Sequence, residues 1–214
     1  MYPSILFDLD GTLTDPAVGI TTAVAYAVEK MGFTPPPREN LLHYIGPPLK
    51  ESFMQDYHLS PEEGDRAVSL YREYFAPKGL FENEVYPGVP ELLAALKSKG
   101  CWIALATSKP EVFAKQILDH FHLTKYFDEV VGSELDGRRV KKGEVVAEVL
   151  SRCPSPDGAI MVGDRHHDVT GAHENGLPAA GVLYGYGSRT EMEEYAADFI
   201  LESVTDLTAF LLAD

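Results

Sequence analysis

The chain has 214 residues, of which 45% are hydrophobic and 24% charged, values that suit a soluble globular core with or without a smaller insert. Its formal net charge of -15, from 33 acidic against 18 basic residues, argues against a nucleic-acid polymer as partner, because binding a phosphate backbone needs clustered Lys and Arg. A small anion held by a few converging cations and amides remains open. No segment reaches membrane-spanning length, no basic leader with a cleavage site follows Met1, and Cys101 and Cys153 fit no metal or redox spacing. The expectation is a cytoplasmic protein with reduced thiols and no membrane partner.

Residues 4–9 read as a short buried strand running into Asp10-Gly11. Ile20, Val24, Val28 and Met31 then recur at helical spacing, and Gly32 follows as a stop. Pro35-Pro36-Pro37 breaks the chain, and Gly46-Pro47-Pro48 leads into a second helix through Leu49 and Phe53. Ser60-Pro61-Glu62-Glu63 combines an N-cap, a proline at the first helical position and a capping-box glutamate. It opens a third helix carrying Val68, Tyr71 and Phe75. Residues 15–83 are therefore expected to be all helical, with Tyr71 and Phe75 in the core of that module.

The pattern changes at Tyr86-Pro87-Gly88. A helix through Leu92, Leu93 and Leu96 ends at Gly100, and short apolar strands are expected at 102–106, 129–131, 159–162, 179–183 and 199–201. Helices open at Lys109-Pro110 and run through Val145, Val146 and Val149. Strands alternating with crossover helices predict an α/β fold, a parallel sheet covered on both faces. The first strand needs partners, so residues 1–14 and 84–214 are expected to form one core with 15–83 inserted.

In such a sheet, ligands bind at the carboxyl ends of the strands, beside a topological switch point. Three strand ends carry distinctive chemistry: Asp8 and Asp10, then Thr107-Ser108, then Gly163-Asp164 with Asp168 four residues on. Asp-Gly after an apolar run is also an ordinary turn, which would account for Asp10 and Gly11 alone but not for Asp164. Several carboxylates in one crevice repel one another unless a cation sits among them, and a hard oxygen-seeking cation such as Mg2+ resolves that. Lys142, at the start of a helix leading to the third strand, can bring a positive charge to phosphate oxygens, as Thr107 can bring a hydroxyl. Lys142 otherwise reads as a solvated neighbour of Arg138, Arg139 and Lys141. Arg165, His166, His167 and His173 match no familiar zinc spacing.

Taken in order, Asp8-Leu9-Asp10-Gly11-Thr12, Thr107, Lys142 and Gly163 to Asp168 resemble the motifs of the haloacid dehalogenase superfamily of phosphatases. Within it the chain looks most similar to phosphoglycolate phosphatase-like members, and it shares Tyr44 to Leu49 and Tyr184 to Gly187 with members known as 5'-nucleotidases. The resemblance spans the whole chain and implies a Rossmann-like core with an all-helical, C1-type cap. It implies a phosphatase acting on a small phosphate ester, with Mg2+ as cofactor. Asp8 would be the nucleophile and Asp10 the acid and base. Asp8, Asp164 and the backbone carbonyl of Asp10 would ligate the metal, with Asp168 binding or orienting it. Thr107, Ser108 and Lys142 would hold phosphate, Lys141 being the alternative lysine, and Thr12 would orient Asp10. Gly46 and Lys50 are the candidate cap contacts to substrate, though Lys50 also reads as a solvated helix residue. A metal-free dehalogenase has no need of Asp10, a phosphosugar mutase would need a basic set in the cap, and a non-catalytic phosphate-binding module would be expected to lose these acids. The oligomeric state is left between monomer and homodimer.

Overall fold

The structure, a computed structural model, describes residues 2–213. The chain divides into two compact units, one of Met1–Asp15 with Val85–Asp214 and the other of Pro16–Glu84.

In chain order, β1 (Ser4–Phe7) and β2 (Thr14–Asp15) lead to the second unit, which holds α1 (Ala17–Lys30), a 3-10 segment (Arg38–Tyr44), α2 (Leu49–Tyr57), α3 (Pro61–Tyr74) and a π turn (Phe75–Gly79). After β3 (Glu84–Val85), the first unit continues through α4 (Val89–Ser98), β4 (Trp102–Pro110), α5 (Glu111–His120), β5 (Glu129–Ser133) and α6 (Lys142–Arg152). It closes with β6 (Ala159–Gly163), α7 (His166–His173), β7 (Ala179–Val182), α8 (Arg189–Glu194), β8 (Phe199–Leu201) and α9 (Val204–Leu212).

The first unit is built on a six-stranded sheet of order β5-β4-β1-β6-β7-β8. All of its pairings are parallel. Parallel neighbours need crossover helices, which is why the central strands β1 and β6 are buried on both sides. Leu6, Ala104, Ala106, Met161 and Ala179 face Val145, Val146 and Val149 of α6 and Val169 and Ala172 of α7. Their chain neighbours Ile5, Phe7, Ile103, Leu105, Ile160 and Val162 point the other way and are fully buried too, so both faces are covered. The expected α/β parallel sheet is the observed fold.

The chain builds outward from β1 to β4 and β5 on one side, then crosses back to β6, β7 and β8 on the other. This reversal puts the switch point beside β1, and the carboxyl ends of β1, β4 and β6 flank the crevice it opens.

The second unit owes its order to local signals. At the start of α3, the Ser60 hydroxyl accepts the Glu63 amide (3.3 Å) and the Glu63 carboxylate accepts the Ser60 amide (2.8 Å), the reciprocal pair that the sequence announces. Tyr71 and Phe75 are buried and stacked at 5.0 Å, and Tyr44 packs on Phe53 at 5.1 Å.

Several strand boundaries differ from expectation, two of them beside the crevice. β1 stops at Phe7 because the carbonyl of Leu9 is taken by the amides of Leu13 (2.9 Å) and Thr14 (3.0 Å), which turns the chain into a loop. Asp8 and Asp10 thus lie just past the strand, in the loop that follows it. β4 instead runs on through residues 107–110, past a register shift against β5.

Candidate active site

The loop after β1 is anchored by the Asp8 amide, which donates to Val162 O across the sheet at 2.9 Å. Gly11 then adopts a φ of +81°, and a Cβ there would lie 2.2 Å from Asp164 Oδ2, so no side chain fits. The loop folds directly over Asp164. The Thr12 hydroxyl donates to Asp164 Oδ1 at 3.2 Å, and the Tyr186 amide donates to Oδ2 at 2.8 Å. Tyr184 secures the same loop through its hydroxyl, which donates to Thr12 O at 2.9 Å. The Thr12 hydroxyl, expected on Asp10, is thus on Asp164, because the turn at Leu9 carries it toward β6. Tyr186 contributes a backbone donor that side-chain reasoning had no means of finding.

Asp164 follows β6 and Asp168 sits in the first turn of α7, where its Oδ2 accepts the Arg165 amide at 3.0 Å. Gly163 makes the room: a Cβ there would come within 2.1 Å of Asp168 Cγ. Lys142, the first residue of α6, is buried and donates through Nζ to Ala106 O at 3.0 Å. The same ammonium lies 2.9 Å from Asp8 Oδ1 and 2.7 Å from Asp168 Oδ1. These short contacts tie the ammonium to both carboxylates. Lys141 is exposed, so of the two lysines Lys142 is the one among the acids.

Asp8, Asp164 and Asp168 bring one carboxylate oxygen each to within 4.8 Å of one another, all three residues buried. Among the described residues no other group of three or more His, Cys, Asp or Glu side chains meets in this way. Burial, with the neighbouring Asp168 and Asp8, raises Asp164 well above the usual carboxylate range. Asp168 is also raised, by burial first and Asp8 next, against the pull of Lys142. Burial works to lower Lys142, but Asp168 and Asp8 outweigh it and hold the ammonium charged. Carboxylates so poised take up either protons or a cation. Three converging hard oxygen donors suit a hard divalent cation.

The third wall comes from the end of β4. The Thr107 hydroxyl accepts the Lys109 amide at 3.2 Å, and the Ser108 carbonyl accepts the Ser133 hydroxyl at 2.8 Å. Lys109, expected to open a helix, is buried. Its Nζ lies 2.8 Å from Asp10 Oδ1 and 2.6 Å from Oδ2. The sequence carried no signal for it, since a lysine before proline reads as the start of a helix. Asp10 is raised by burial and opposed by Lys109, and its carboxylate stands outside the three-acid cluster. Gly46 and Lys50 belong to the helical unit, where Lys50 Nζ pairs with Asp65 at 2.7 Å. The histidines have separate partners: His166 Nδ1 is 2.8 Å from Glu191, and His173 Nε2 is 3.0 Å from Asp198.

Counted as formal charges, Asp8, Asp10, Asp164 and Asp168 exceed Lys109 and Lys142 by two, which one divalent cation would neutralise once the acids are ionised. A parallel α/β sheet presenting this set at its switch point has the form of an enzyme that handles a charged group. The chain belongs to the haloacid dehalogenase-like hydrolase family, whose profile matches residues 5–182. It is 47% identical over 195 residues to a 5'-nucleotidase of Pseudomonas aeruginosa, covering 91% of this chain and 88% of that protein. It is 31% identical over 216 residues to a phosphoglycolate phosphatase of Aquifex aeolicus, covering 97% and 95% of the two. Among solved structures, a predicted phosphatase from Clostridium acetobutylicum superposes with a TM-score of 0.95 at 47% identity, covering 99% of each chain.

Proposed function

We propose that the protein is a Mg2+-dependent phosphatase that hydrolyses a small phosphomonoester through a phosphoaspartate on Asp8. The observation carrying this reading is the grouping of Asp8 with Asp164, Asp168 and Lys142, with Asp10 apart on Lys109.

In the first half-reaction an Asp8 carboxylate oxygen bonds to phosphorus while the bond from phosphorus to the ester oxygen breaks, and Asp10 gives the departing oxygen its proton. In the second, water attacks phosphorus, Asp10 takes the proton of that water, and the bond between phosphorus and Asp8 breaks to release inorganic phosphate. Lys142, Thr107 and Ser108 hold the oxygens of the transferring group throughout. Asp8, Asp164 and the carbonyl of Asp10 would hold Mg2+, with Asp168 binding or orienting it. When bound, Mg2+ supplies the positive charge that lets a phosphate dianion approach a carboxylate. Thr12 and the Tyr186 amide keep Asp164 in place for that role.

The helical unit is proposed as the cap, with Gly46 and Lys50 contributing to selection of the leaving group. Phosphoglycolate is the first candidate substrate, supported by the resemblance of the motifs and by the Aquifex relative. A nucleoside 5'-monophosphate is the second, favoured by the higher identity to the Pseudomonas 5'-nucleotidase. A kinetic panel of both with sugar phosphates and pyrophosphate decides between them. A lead of about 100-fold in kcat/KM, roughly 3 kcal/mol of differential transition-state binding, identifies the substrate class. The chemistry itself is tested with p-nitrophenyl phosphate: activity with Mg2+, loss in EDTA, and none in Asp8→Asn. Full activity in that variant would exclude the mechanism.

A further inference from the structure

Lys109 belongs to none of the family motifs recognised in the sequence, yet it is as deeply set as the residues that do. Its side chain is 6% exposed and that of Asp10 is 10% exposed. A lysine loses considerable side-chain freedom and hydration on burial, a cost that a merely structural lysine avoids by reaching solvent. Here the ammonium is aimed at both oxygens of a single carboxylate, at 2.8 and 2.6 Å. Engaging both oxygens fixes the rotation of the carboxylate plane, which one hydrogen bond leaves free.

The backbone supports this aim from two sides. The Lys109 amide is tied to the Thr107 hydroxyl (3.2 Å), and the Ser108 carbonyl to the Ser133 hydroxyl (2.8 Å). The stretch therefore stays extended to Pro110 instead of turning into α5. Asp10 comes from the β1 loop and Lys109 from β4, so their pairing links two walls of the crevice. Lys142 is occupied elsewhere, between Asp8, Asp168 and the Ala106 carbonyl. The two lysines divide the acids: one serves the proposed nucleophile, the other the proposed proton carrier.

We infer that Lys109 is a positioning residue that orients the Asp10 carboxylate for the hydrolytic half-reaction, in which Asp10 must take a proton from the attacking water. The inference rests on the roles proposed for Asp8 and Asp10. In the first half-reaction with an aryl ester, the leaving group departs with little need of an acid, so Lys109 matters little there. Hydrolysis of the phosphoenzyme needs a correctly set base, and misplacing a catalytic group costs about 100-fold in rate.

The test is rapid-mixing kinetics of full-length Lys109→Met with p-nitrophenyl phosphate and Mg2+, with melting curves to check folding and Lys109→Gln as a second neutral variant. The expected result is a burst of p-nitrophenolate equal to the enzyme concentration. Its rate falls less than about 3-fold from wild type, and a steady-state rate lower by about 100-fold follows. Orthovanadate affinity stays within about 3-fold, and Lys109→Arg, which again offers paired donors, recovers part of the steady-state rate. Burst and steady state falling together with weakened vanadate binding would make Lys109 a phosphate ligand and overturn the inference; an unchanged steady-state rate would overturn it as well. Failure of the underlying reading shows separately, as product formation by Asp8→Asn.

Discussion

At the scale of single residues, the site is made of groups that would be unstable apart. Asp164 is buried with both oxygens occupied, one by the Thr12 hydroxyl and one by the Tyr186 amide. Thr12→Val keeps the shape and removes one donor. We expect it to cost about 1–3 kcal/mol in urea denaturation, because a buried carboxylate oxygen loses its partner. The glycines impose a different limit. Gly163→Ala drives a methyl group into the Asp168 carboxyl, and overpacking of this kind costs about 1–3 kcal/mol. Its stronger expected effect is on Mg2+ affinity, at least 10-fold weaker by isothermal titration (order of magnitude, from the sensitivity of metal sites to displaced supporting groups). Unchanged affinity would mean that Asp168 has no part in the metal site. Residue types were legible from the sequence here and partners were not: Asp8, Asp10, Asp164, Asp168, Thr107 and Lys142 were all singled out. Lys109 was not, because a lysine before proline reads as a solvated helix start. Thr12 was assigned to Asp10 because nothing in a linear pattern shows which way a six-residue loop folds.

At the scale of elements, what the sequence conveyed best was what local forces decide. The capping box of α3 formed as its residues required, and the fully apolar runs of β1 and β6 became central strands. Strand ends were less legible, since they depend on bonds between distant segments. β4 outlasts its apolar run because its last residues are pinned by Ser133 and by Asp10, and β1 falls short because Leu9 is drawn into a turn. Local signals also make local predictions. Ser60→Ala removes the N-cap of α3 and should destabilise the helical unit by about 1 kcal/mol. Hydrogen exchange should detect this as faster exchange confined to residues 61–74. Loss of protection in β1 or β6 to the same degree would contradict the division of the chain into two units.

At the scale of the whole molecule, a chain with a net charge of -15 carries a crevice whose acids exceed its lysines by two. A divalent cation relieves that local repulsion, so it should stabilise the folded state by mass action, by about 2.7 kcal/mol at 100 times its Kd. Melting temperature should rise with Mg2+ in the wild type and much less in Asp164→Asn; equal shifts would place the cation elsewhere. The parallel topology gathers the ends of β1, β4 and β6 in one place; the alternation of elements predicts a parallel sheet but not this order of strands. Substrate choice is another matter, since no motif in the sequence specifies it.

The central claim is that Asp8 becomes covalently phosphorylated. The direct measurement is acid quenching of the enzyme during turnover of a phosphomonoester with Mg2+, followed by borohydride trapping and mass spectrometry of the peptide containing residue 8. The account predicts reduction of the side chain at Asp8 alone, dependent on substrate and absent in Asp8→Asn. Turnover with no trapped residue, or trapping at Asp10 or Asp164 instead, would contradict it.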